Sequence, residues 1–225
     1  MSDGLVVDRG RVTRLTIDRP ERRNALTLSV LTRMVDEVER LADDETCTVL
    51  VLRGSGGSFC AGADLGSADE MVDPATTGAV LAAANRFVRA LVAAPQVVVA
   101  EVTGPAAGYG VAMALAADVV LARDDAYLQL TFSRIGLMPD GGATTFVAAS
   151  AGRHTALRMA LLGSPVRAAE AEARGLVTEV VSADDFDRRC EEVAARLAAG
   201  SRLATAATKR AVAAATLERL DGVLD

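Results

Sequence analysis

The strongest constraint on the fold is an apolar, β-rich run that stops at a glycine-dense loop and a turn of small residues. The apolar run occupies residues 49–52, the loop residues 54–58, and the turn is Ala61-Gly62-Ala63-Asp64. A buried strand followed by Gly and Ala leaves backbone N–H groups uncovered by side chains. Such groups bind phosphate, or an oxygen that becomes negative during a reaction.

A second stretch, residues 97–113, repeats this arrangement. An apolar run is followed by Gly104-Pro105-Ala106-Ala107-Gly108-Tyr109-Gly110 and then by an apolar helical pattern. Two turns of this kind predict a pair of N–H donors that converge on one point.

The rest of the chain alternates strand and helix patterns, which predicts an α/β fold. Residues 67–79 are small and polar and are typical of a loop or short helix. Strands are predicted at 5–18 (a hairpin), 48–53, 97–102, 118–123, 126–130 and 177–181. Helices are predicted at 28–42, 80–94, 110–117, 143–150, 153–162, 167–174, 184–199 and 203–220, and a loop at 132–142.

Composition excludes several classes of function. The 225 residues are 51% hydrophobic but only 3% aromatic, so the core must be built from Ala, Val and Leu. A net charge of −6 argues against a nucleic-acid partner, because phosphate binding requires a basic face. A small anionic ligand is still compatible, since Arg19, Arg22 and Arg23 stand together.

The cysteines and the chain start indicate the compartment. Cys47, Cys60 and Cys190 are odd in number and have no pairing motif, which favours reduced thiols in a cytosolic protein. The first residues have no basic region and no apolar signal core, and no apolar run is long enough to span a bilayer. We therefore expect a soluble, cytoplasmic protein without a membrane partner.

Several common sites do not match the sequence. The glycines from Gly104 to Gly110 have G-x-x-x-G-x-G spacing, not the dinucleotide fingerprint, and no P-loop occurs. His154 is the only histidine and has no nucleophile elbow, so a surface residue is favoured over a Ser-His-Asp triad. No ligand spacing for a metal is present, and Cys60 is typical of a buried structural thiol, with a nucleophile as the alternative.

Two acidic residues are more informative. Asp64 follows the Ala-Gly-Ala turn and is a candidate cap for the next segment. Asp140 lies in Gly136-Leu137-Met138-Pro139-Asp140-Gly141-Gly142. This stretch suits an ordinary Pro-Asp-Gly turn, but a single carboxylate in an apolar pocket is also what a proton-shuttling enzyme requires. The pattern alone leaves both interpretations open.

Four runs of the sequence resemble, in the same order, motifs of the enoyl-CoA hydratase/isomerase (crotonase) family. They are residues 22–26, 59–65, 103–110 and 132–142. The resemblance covers roughly residues 5–220. It implies the ClpP-like ββα spiral fold, with a spiral core at 1–180 and a C-terminal helical oligomerisation region at 181–225. It also implies acyl-CoA thioester substrates, homotrimers or dimers of trimers, and no metal or cofactor beyond the coenzyme A of the substrate.

The resemblance also assigns roles to residues. The backbone N–H groups of Ala63 and Tyr109 would stabilise a thioester enolate. The residues implied in binding the substrate and its coenzyme A are Arg22, Arg23, Ala25, Ala61, Gly62, Asp64, Leu65, Gly108 and Phe132.

Departures from the family pattern favour one reaction. Hydratases of the family use two glutamates, and the matching positions here are Ala112 and Phe132. Asp140 resembles the acidic residue in the Pro-Asp loop of family isomerases. We therefore expect an isomerase with Asp140 as its acid and base, with a weak or inactive hydratase, other crotonase chemistry or a non-catalytic acyl-CoA binder as alternatives. Family chains commonly continue with a further helical tail, so we expect a more open acyl pocket or altered coenzyme A cover here.

Overall fold

The computed structural model describes residues 4–64 and 74–224, in which strands and helices alternate as the α/β prediction requires. The strands are β1 Leu5–Asp8, β2 Val12–Ile17, β3 Val49–Gly54, β4 Val97–Val102, β5 Pro105–Ala107, β6 Val119–Arg123, β7 Tyr127–Gln129, β8 Val166–Arg167 and β9 Glu179–Val181. The α-helices are α1 Leu28–Ala42, α2 Pro74–Ala93, α3 Tyr109–Leu115, α4 Ala143–Leu162, α5 Ala168–Ala173, α6 Phe186–Ala198, α7 Arg202–Thr216 and α8 Asp221–Leu224. Short 3-10 helices occupy Pro20–Arg22 and Phe132–Ile135.

The main sheet has six strands in the order β1-β2-β3-β4-β6-β9. The pair β1 and β2 is antiparallel, and every other neighbouring pair is parallel. A second sheet has the order β5-β7-β8. Because β3 and β4 are parallel neighbours, their carboxyl ends lie at the same edge of the main sheet. The two glycine-rich turns that follow these strands therefore leave the sheet side by side.

Both faces of the main sheet are covered, which explains why β3 and β4 are continuous apolar runs. On one face α1 packs with an apolar stripe, and α2 lies against α1. On the other face Phe186 and Cys190 of α6 pack against Val51, Val99 and Leu121. The predicted division at residue 180 stays a prediction.

The structure corrects several predicted boundaries. Helix α2 begins at Pro74 rather than at Val80, so residues 74–79 are helical; the remainder of the predicted loop before them lies outside the described residues. The helices predicted at 143–150 and 153–162 form one element, α4, interrupted by the non-helical φ of 79° and ψ of 165° at Gly152. The last predicted helix ends at Thr216 and is followed by the separate α8.

Two short strands were not predicted, β5 inside the second glycine turn and β8 after α4. All three cysteines are unpaired and buried. Among the helices of the described residues, none combines the length and apolar character that crossing a membrane requires.

Candidate active site

The two glycine-rich turns are in direct contact. Cys60 and Ala106 form a β-bridge, with Ala107 N donating to the Cys60 carbonyl at 2.8 Å. Gly62 has a φ of +93°, and a Cβ added there would lie 3.2 Å from the Tyr109 nitrogen. Only glycine allows this approach, since a side chain would be strained and would crowd that nitrogen. The turn that carries Ala63 is therefore packed against the start of α3.

The predicted N–H donors, Ala63 and Tyr109, have no backbone acceptor among the described residues. Ala63 is bridged to Leu26, but the two hydrogen bonds of that bridge use Gly62 O and Asp64 N, at 2.8 and 2.9 Å. Tyr109 is the first residue of α3, and N–H groups in a first turn have no acceptor inside the helix. Within residues 4–64 and 74–224, neither N–H donates to a backbone carbonyl. Both can donate to a ligand oxygen.

The turn with Asp140 packs against the same end of α3. A Cβ added at Gly141 would lie 2.6 Å from Cε2 of the Tyr109 ring and 3.0 Å from the Ala112 Cβ, so the turn needs glycine to approach this closely. Ala112 is fully buried. The structure thus brings Asp140, Tyr109 and Ala112 together, although they come from two separate motifs.

Asp140 is a half-buried residue whose carboxyl is turned partly away from solvent. Burial raises the pKa of Asp140 to about 6, and only a hydrogen bond from its own backbone opposes this. Its Oδ1 is buried without a hydrogen-bond partner among the described residues. The pKa of the Tyr109 phenol is also raised, first by burial and then by the negative charge of Asp140. A carboxyl in this state can take up and release a proton near neutral pH.

The positions at which the family resemblance places hydratase glutamates carry no carboxylate. Ala112 is 0% exposed and Phe132 is 7% exposed. Phe132 begins the 3-10 helix that leads to the Asp140 turn. Both side chains are apolar, so neither can hold or activate a water molecule.

Most residues predicted to bind coenzyme A lie on adjacent segments. Ala61 N donates to the Arg23 carbonyl at 3.0 Å, and Leu26 N donates to the Gly62 carbonyl. The side chains of Arg22 and Arg23 are exposed, whereas Ala25 is buried. Gly108 lies beside the Gly62 turn, with an added Cβ 3.8 Å from the Gly62 Cα. Leu65 lies outside the described residues.

Of the three arginines that stand together in the sequence, Arg19 is engaged within the protein. Arg19 Nη2 binds Asp64 Oδ2 at 2.7 Å, and Arg19 Nη1 donates to the Ala25 carbonyl. Both charged side chains are largely buried. Arg19 therefore links Asp64 and Ala25, two residues predicted to bind coenzyme A, and the neighbouring Arg22 and Arg23 are exposed. The segment that Asp64 was predicted to cap lies outside the described residues.

Asn24 holds two loops of the site together, a role that was not predicted from the sequence. It is 0% exposed and has a φ of 57°. Its Nδ2 donates to the carbonyls of Ser55 and Ser58 at 2.8 and 2.6 Å, and its Oδ1 accepts from Arg19 N at 2.9 Å. The loop after β2 is thereby fixed to the loop after β3. An asparagine in a loop was the only local signal, because Asn tolerates a left-handed backbone.

Cys60 and His154, the two other residues considered as catalytic candidates, have no catalytic role in the proposed site. Burial raises the pKa of Cys60 to about 12, so its thiol stays protonated and is a poor nucleophile. His154 is exposed on α4. Within the residues that the structure describes, no group of three His, Cys, Asp or Glu side chains is arranged to hold a metal ion.

A cavity of about 580 Å³ lies elsewhere, between α7 and the carboxyl end of α3. Leu115, Phe146, Lys209 and Leu217 are among its lining residues, and no residue predicted for the site lines it. The N–H donors and Asp140 are at the opposite, amino end of α3. The chemistry therefore assigns the candidate site to that end.

The chain is similar in sequence to known proteins. The sequence profile described as "Enoyl-CoA hydratase/isomerase" matches residues 8–225. The chain is 34% identical to the 1,2-epoxyphenylacetyl-CoA isomerase of Escherichia coli, over 97% of this chain and 84% of that protein. It is 38% identical to a probable enoyl-CoA hydratase of Rhodobacter capsulatus, over 94% of this chain and 78% of that protein.

A solved structure gives the fold. The crystal structure of an enoyl-CoA hydratase from Mycobacterium avium subsp. paratuberculosis matches with a TM-score of 0.91 and 46% identity. The match covers 98% of this chain and 85% of that chain. The predicted crotonase fold is confirmed.

Proposed function

The chain belongs to the enoyl-CoA hydratase/isomerase family, and we propose that within it this protein is an enoyl-CoA isomerase. The substrate is an acyl-CoA thioester whose C=C bond moves by one position. Asp140 carries the proton, and the N–H groups of Ala63 and Tyr109 bind the thioester oxygen. Coenzyme A is part of the substrate, and the proposed reaction uses no metal or redox cofactor.

The proposed reaction needs one base and one oxyanion site. The Asp140 carboxylate removes a proton from C2 of a 3-enoyl-CoA, and the electrons of that C–H bond spread through a dienolate onto the thioester oxygen. The N–H groups of Ala63 and Tyr109 stabilise this negative oxygen. The carbonyl then re-forms, the double bond becomes C2=C3, and Asp140 returns its proton to C4. Atoms and charge balance without a second carboxylate.

The observation that carries the proposal is the state of the Asp140 carboxyl. Its Oδ1 atom is buried without a hydrogen-bond partner among the described residues, and the turn that carries it packs against Tyr109, whose N–H is the proposed oxyanion donor. A pKa of about 6 makes the carboxylate the main form at neutral pH while keeping it basic enough to abstract a proton. The apolar Ala112 and Phe132 exclude water from the dienolate.

Hydration is the second candidate, favoured by the names of several relatives, including the probable hydratase of Rhodobacter capsulatus. It requires a group that activates water, and Ala112 and Phe132 provide none. A non-catalytic acyl-CoA binder is the third candidate, and it predicts affinity without turnover. The E. coli relative named as a 1,2-epoxyphenylacetyl-CoA isomerase is in keeping with the isomerase proposal.

The test separates the products of a 3-enoyl-CoA and a 2-enoyl-CoA by chromatography after incubation with the protein. We expect interconversion without a 3-hydroxyacyl product. Asp140→Asn should lower turnover by about 10³-fold or more while acyl-CoA still binds, because the amide cannot accept the proton. A 3-hydroxyacyl-CoA product would overturn the proposal, as would an Asp140→Asn variant with full isomerase activity.

We also propose a homotrimer or a dimer of trimers in the cytoplasm. Exposed apolar side chains near the site support self-association: Ile135, Leu137, Met138, Leu161 and Leu162. Apolar side chains of this size are usually covered when they cluster.

A further inference from the structure

Asn85 on α2 is a buried polar residue that the proposed mechanism does not use. It is 8% exposed, and its Nδ2 donates a hydrogen bond of 2.5 Å to the Leu224 carbonyl in α8. Its Oδ1 is buried and has no hydrogen-bond partner among the described residues. Burying an incompletely bonded amide is costly, so this residue calls for an explanation beyond packing.

The helix that Asn85 holds ends on the turn that carries Asp140. A Cβ added at Gly142 would lie 2.6 Å from Leu220 Cδ1 and 3.6 Å from Leu224 Cδ2. Both leucines are buried, at 5% and 4% exposure. Since Gly142 is two residues after Asp140, Leu220 and Leu224 close one side of this turn.

The same part of α2 also fixes the opposite side of the turn. The Tyr109 hydroxyl donates to the carbonyl of Ala84, the residue before Asn85, at 2.8 Å. The Tyr109 ring in turn lies against Gly141. A second link between α2 and α8, from Arg89 Nε to Asp221 Oδ1 at 3.2 Å, is exposed and therefore weak.

We propose that Asn85 is a positioning residue for Asp140. Asn85 holds Leu224 in place, so that Leu220 and Leu224 keep water away from the Asp140 carboxyl. This inference rests on the proposed function, in which Asp140 carries the proton. Asn85 does not touch the reacting atoms. Its effect passes through the Leu224 carbonyl and the leucine side chains to the turn at Gly142.

Among the described residues, no neighbouring charge is a cause of the shifted pKa of Asp140, which burial raises and its own backbone hydrogen bond lowers. The titratable or charged groups on the described elements around it are Arg86, Arg89, Tyr109, Arg134, Arg153, His154, Arg158, Glu218, Arg219 and Asp221. The Tyr109 phenol is the one whose own pKa is raised by the Asp140 charge. Arg86 pairs with Glu39, and Arg89 pairs with Asp221. Loss of the Asn85 hydrogen bond therefore acts mainly by letting water reach the carboxyl.

The test uses Asn85→Leu, which is uncharged and close in volume, Leu224→Ala, and the double variant. Val223→Ala is the matched control, because Val223 is the neighbouring residue and is 38% exposed. The pKa of Asp140 is measured by carbon NMR titration of aspartate-labelled protein, with the signal assigned by its loss in Asp140→Asn. We expect a fall of about one pH unit in each single variant, toward the ordinary value of 3.8, because water stabilises the charged form.

The double variant should shift no further than the larger single shift, and Val223→Ala should not shift. The low-pH limb of kcat should move by the same amount, with little change in KM. An unchanged Asp140 pKa in either single variant would overturn the inference, and if Asn85→Leu does not fold, Asn85→Ala takes its place. The titration needs no turnover, so a wild-type protein without isomerase activity would overturn the proposed function separately.

Discussion

At the scale of single residues, three carboxyls that are wholly or partly withdrawn from water differ in their partners. Burial raises the pKa of Glu101, Asp118 and Asp140 alike. Glu101 has Arg53 at 3.5 Å, and Asp118 has Lys209 at 2.9 Å. Asp140 has no ion pair among the described residues, and its Oδ1 has no hydrogen bond. A buried carboxyl without compensation is a functional candidate, because structure alone gives no reason to keep it.

Asp140→Asn is therefore expected to stabilise the protein at high pH. The folded-state pKa of about 6 lies above the ordinary value of 3.8, so the stability contributed by this carboxyl is full below about 3.8 and is lost as the pH rises through about 6. The variant should be more stable than wild type by about 1–3 kcal/mol near pH 8, with the difference vanishing near pH 4. Urea unfolding at both pH values measures it.

The exposed Asp184, replaced by Asn, is the control for removing one charge. Its effect should not grow between the two pH values as that of Asp140→Asn does. Equal stability of wild type and Asp140→Asn near pH 8 would show that the carboxyl is hydrated in solution.

At the scale of elements, the sequence predicts what local periodicity controls. The apolar spacing of residues 28–42 matches α1 from end to end, and Thr27 caps it by accepting from Val30 N. Strand β5 was not predicted because Pro105, Ala106 and Ala107 have no intrinsic preference for a strand. They pair with β7 only because the tertiary fold brings the two segments together. The first residues of α2 were not predicted to be helical because the Thr-Thr-Gly stretch in its first turns has a low helix propensity.

In the candidate site, too, some features can be predicted from local sequence and others depend on the tertiary fold. The glycine turns and Asp140 are visible as motifs in the sequence. Whether Asp140 is an ordinary turn residue depends on its burial by α3 and α8, which are distant from it in the sequence. The roles of Asn24 and Asn85 depend on carbonyl groups 31 to 139 residues away. No local pattern contains that information.

The contact between the two glycine turns predicts the effect of Gly62→Ala. The new Cβ would lie 3.2 Å from the Tyr109 nitrogen and 3.1 Å from the Ala107 oxygen, and so would obstruct one proposed oxyanion donor. We expect kcat/KM to fall by about 10–100-fold, because small misplacements in such a site are costly. Steady-state kinetics with a 3-enoyl-CoA measures the loss.

Gly57→Ala is the matched control for backbone strain. Gly57 has a φ of +80°, close to that of Gly62, but a Cβ there would meet nothing within 4 Å. Its kcat/KM should stay near that of wild type. A similar loss in both variants would attribute the effect to strain in the loops and not to the Tyr109 N–H group.

At the scale of the whole molecule, the buried ammonium group of Lys209 bonds α7 to the core. Lys209 is the only lysine in the sequence. Its Nζ donates to the carbonyls of Leu91 and Gln96 at 2.8 and 3.2 Å and lies 2.9 Å from Asp118 Oδ2. A compact ammonium can bind three convergent acceptors, whereas a planar guanidinium cannot. This explains a lysine here in a chain whose other basic residues are all arginines.

The attachment matters because α7 is otherwise loosely packed. Ala206 is the only residue of α7 that is buried, and the 580 Å³ cavity separates much of its inner face from α3 and α4. The chain reaches α8 only through α7. The position of Leu220 and Leu224 at the Asp140 turn therefore depends on this anchor as well as on Asn85.

Lys209→Met is expected to destabilise the protein by about 1–3 kcal/mol, because it leaves the carbonyls of Leu91 and Gln96 without this donor and the partly exposed Asp118 carboxylate without its ion pair. Burial lowers the pKa of Lys209 and raises that of Asp118, so each charge is costly without the other. The double variant Lys209→Met/Asp118→Asn should therefore lose less than the sum of the two single losses, and Lys209→Arg should not restore stability. Urea unfolding of the four proteins gives the coupling free energy, with the exposed Arg210→Met as the control. Additive losses would mean that solvent, and not Asp118, compensates the ammonium, and the anchor of α7 would then have to lie in the two carbonyl contacts alone.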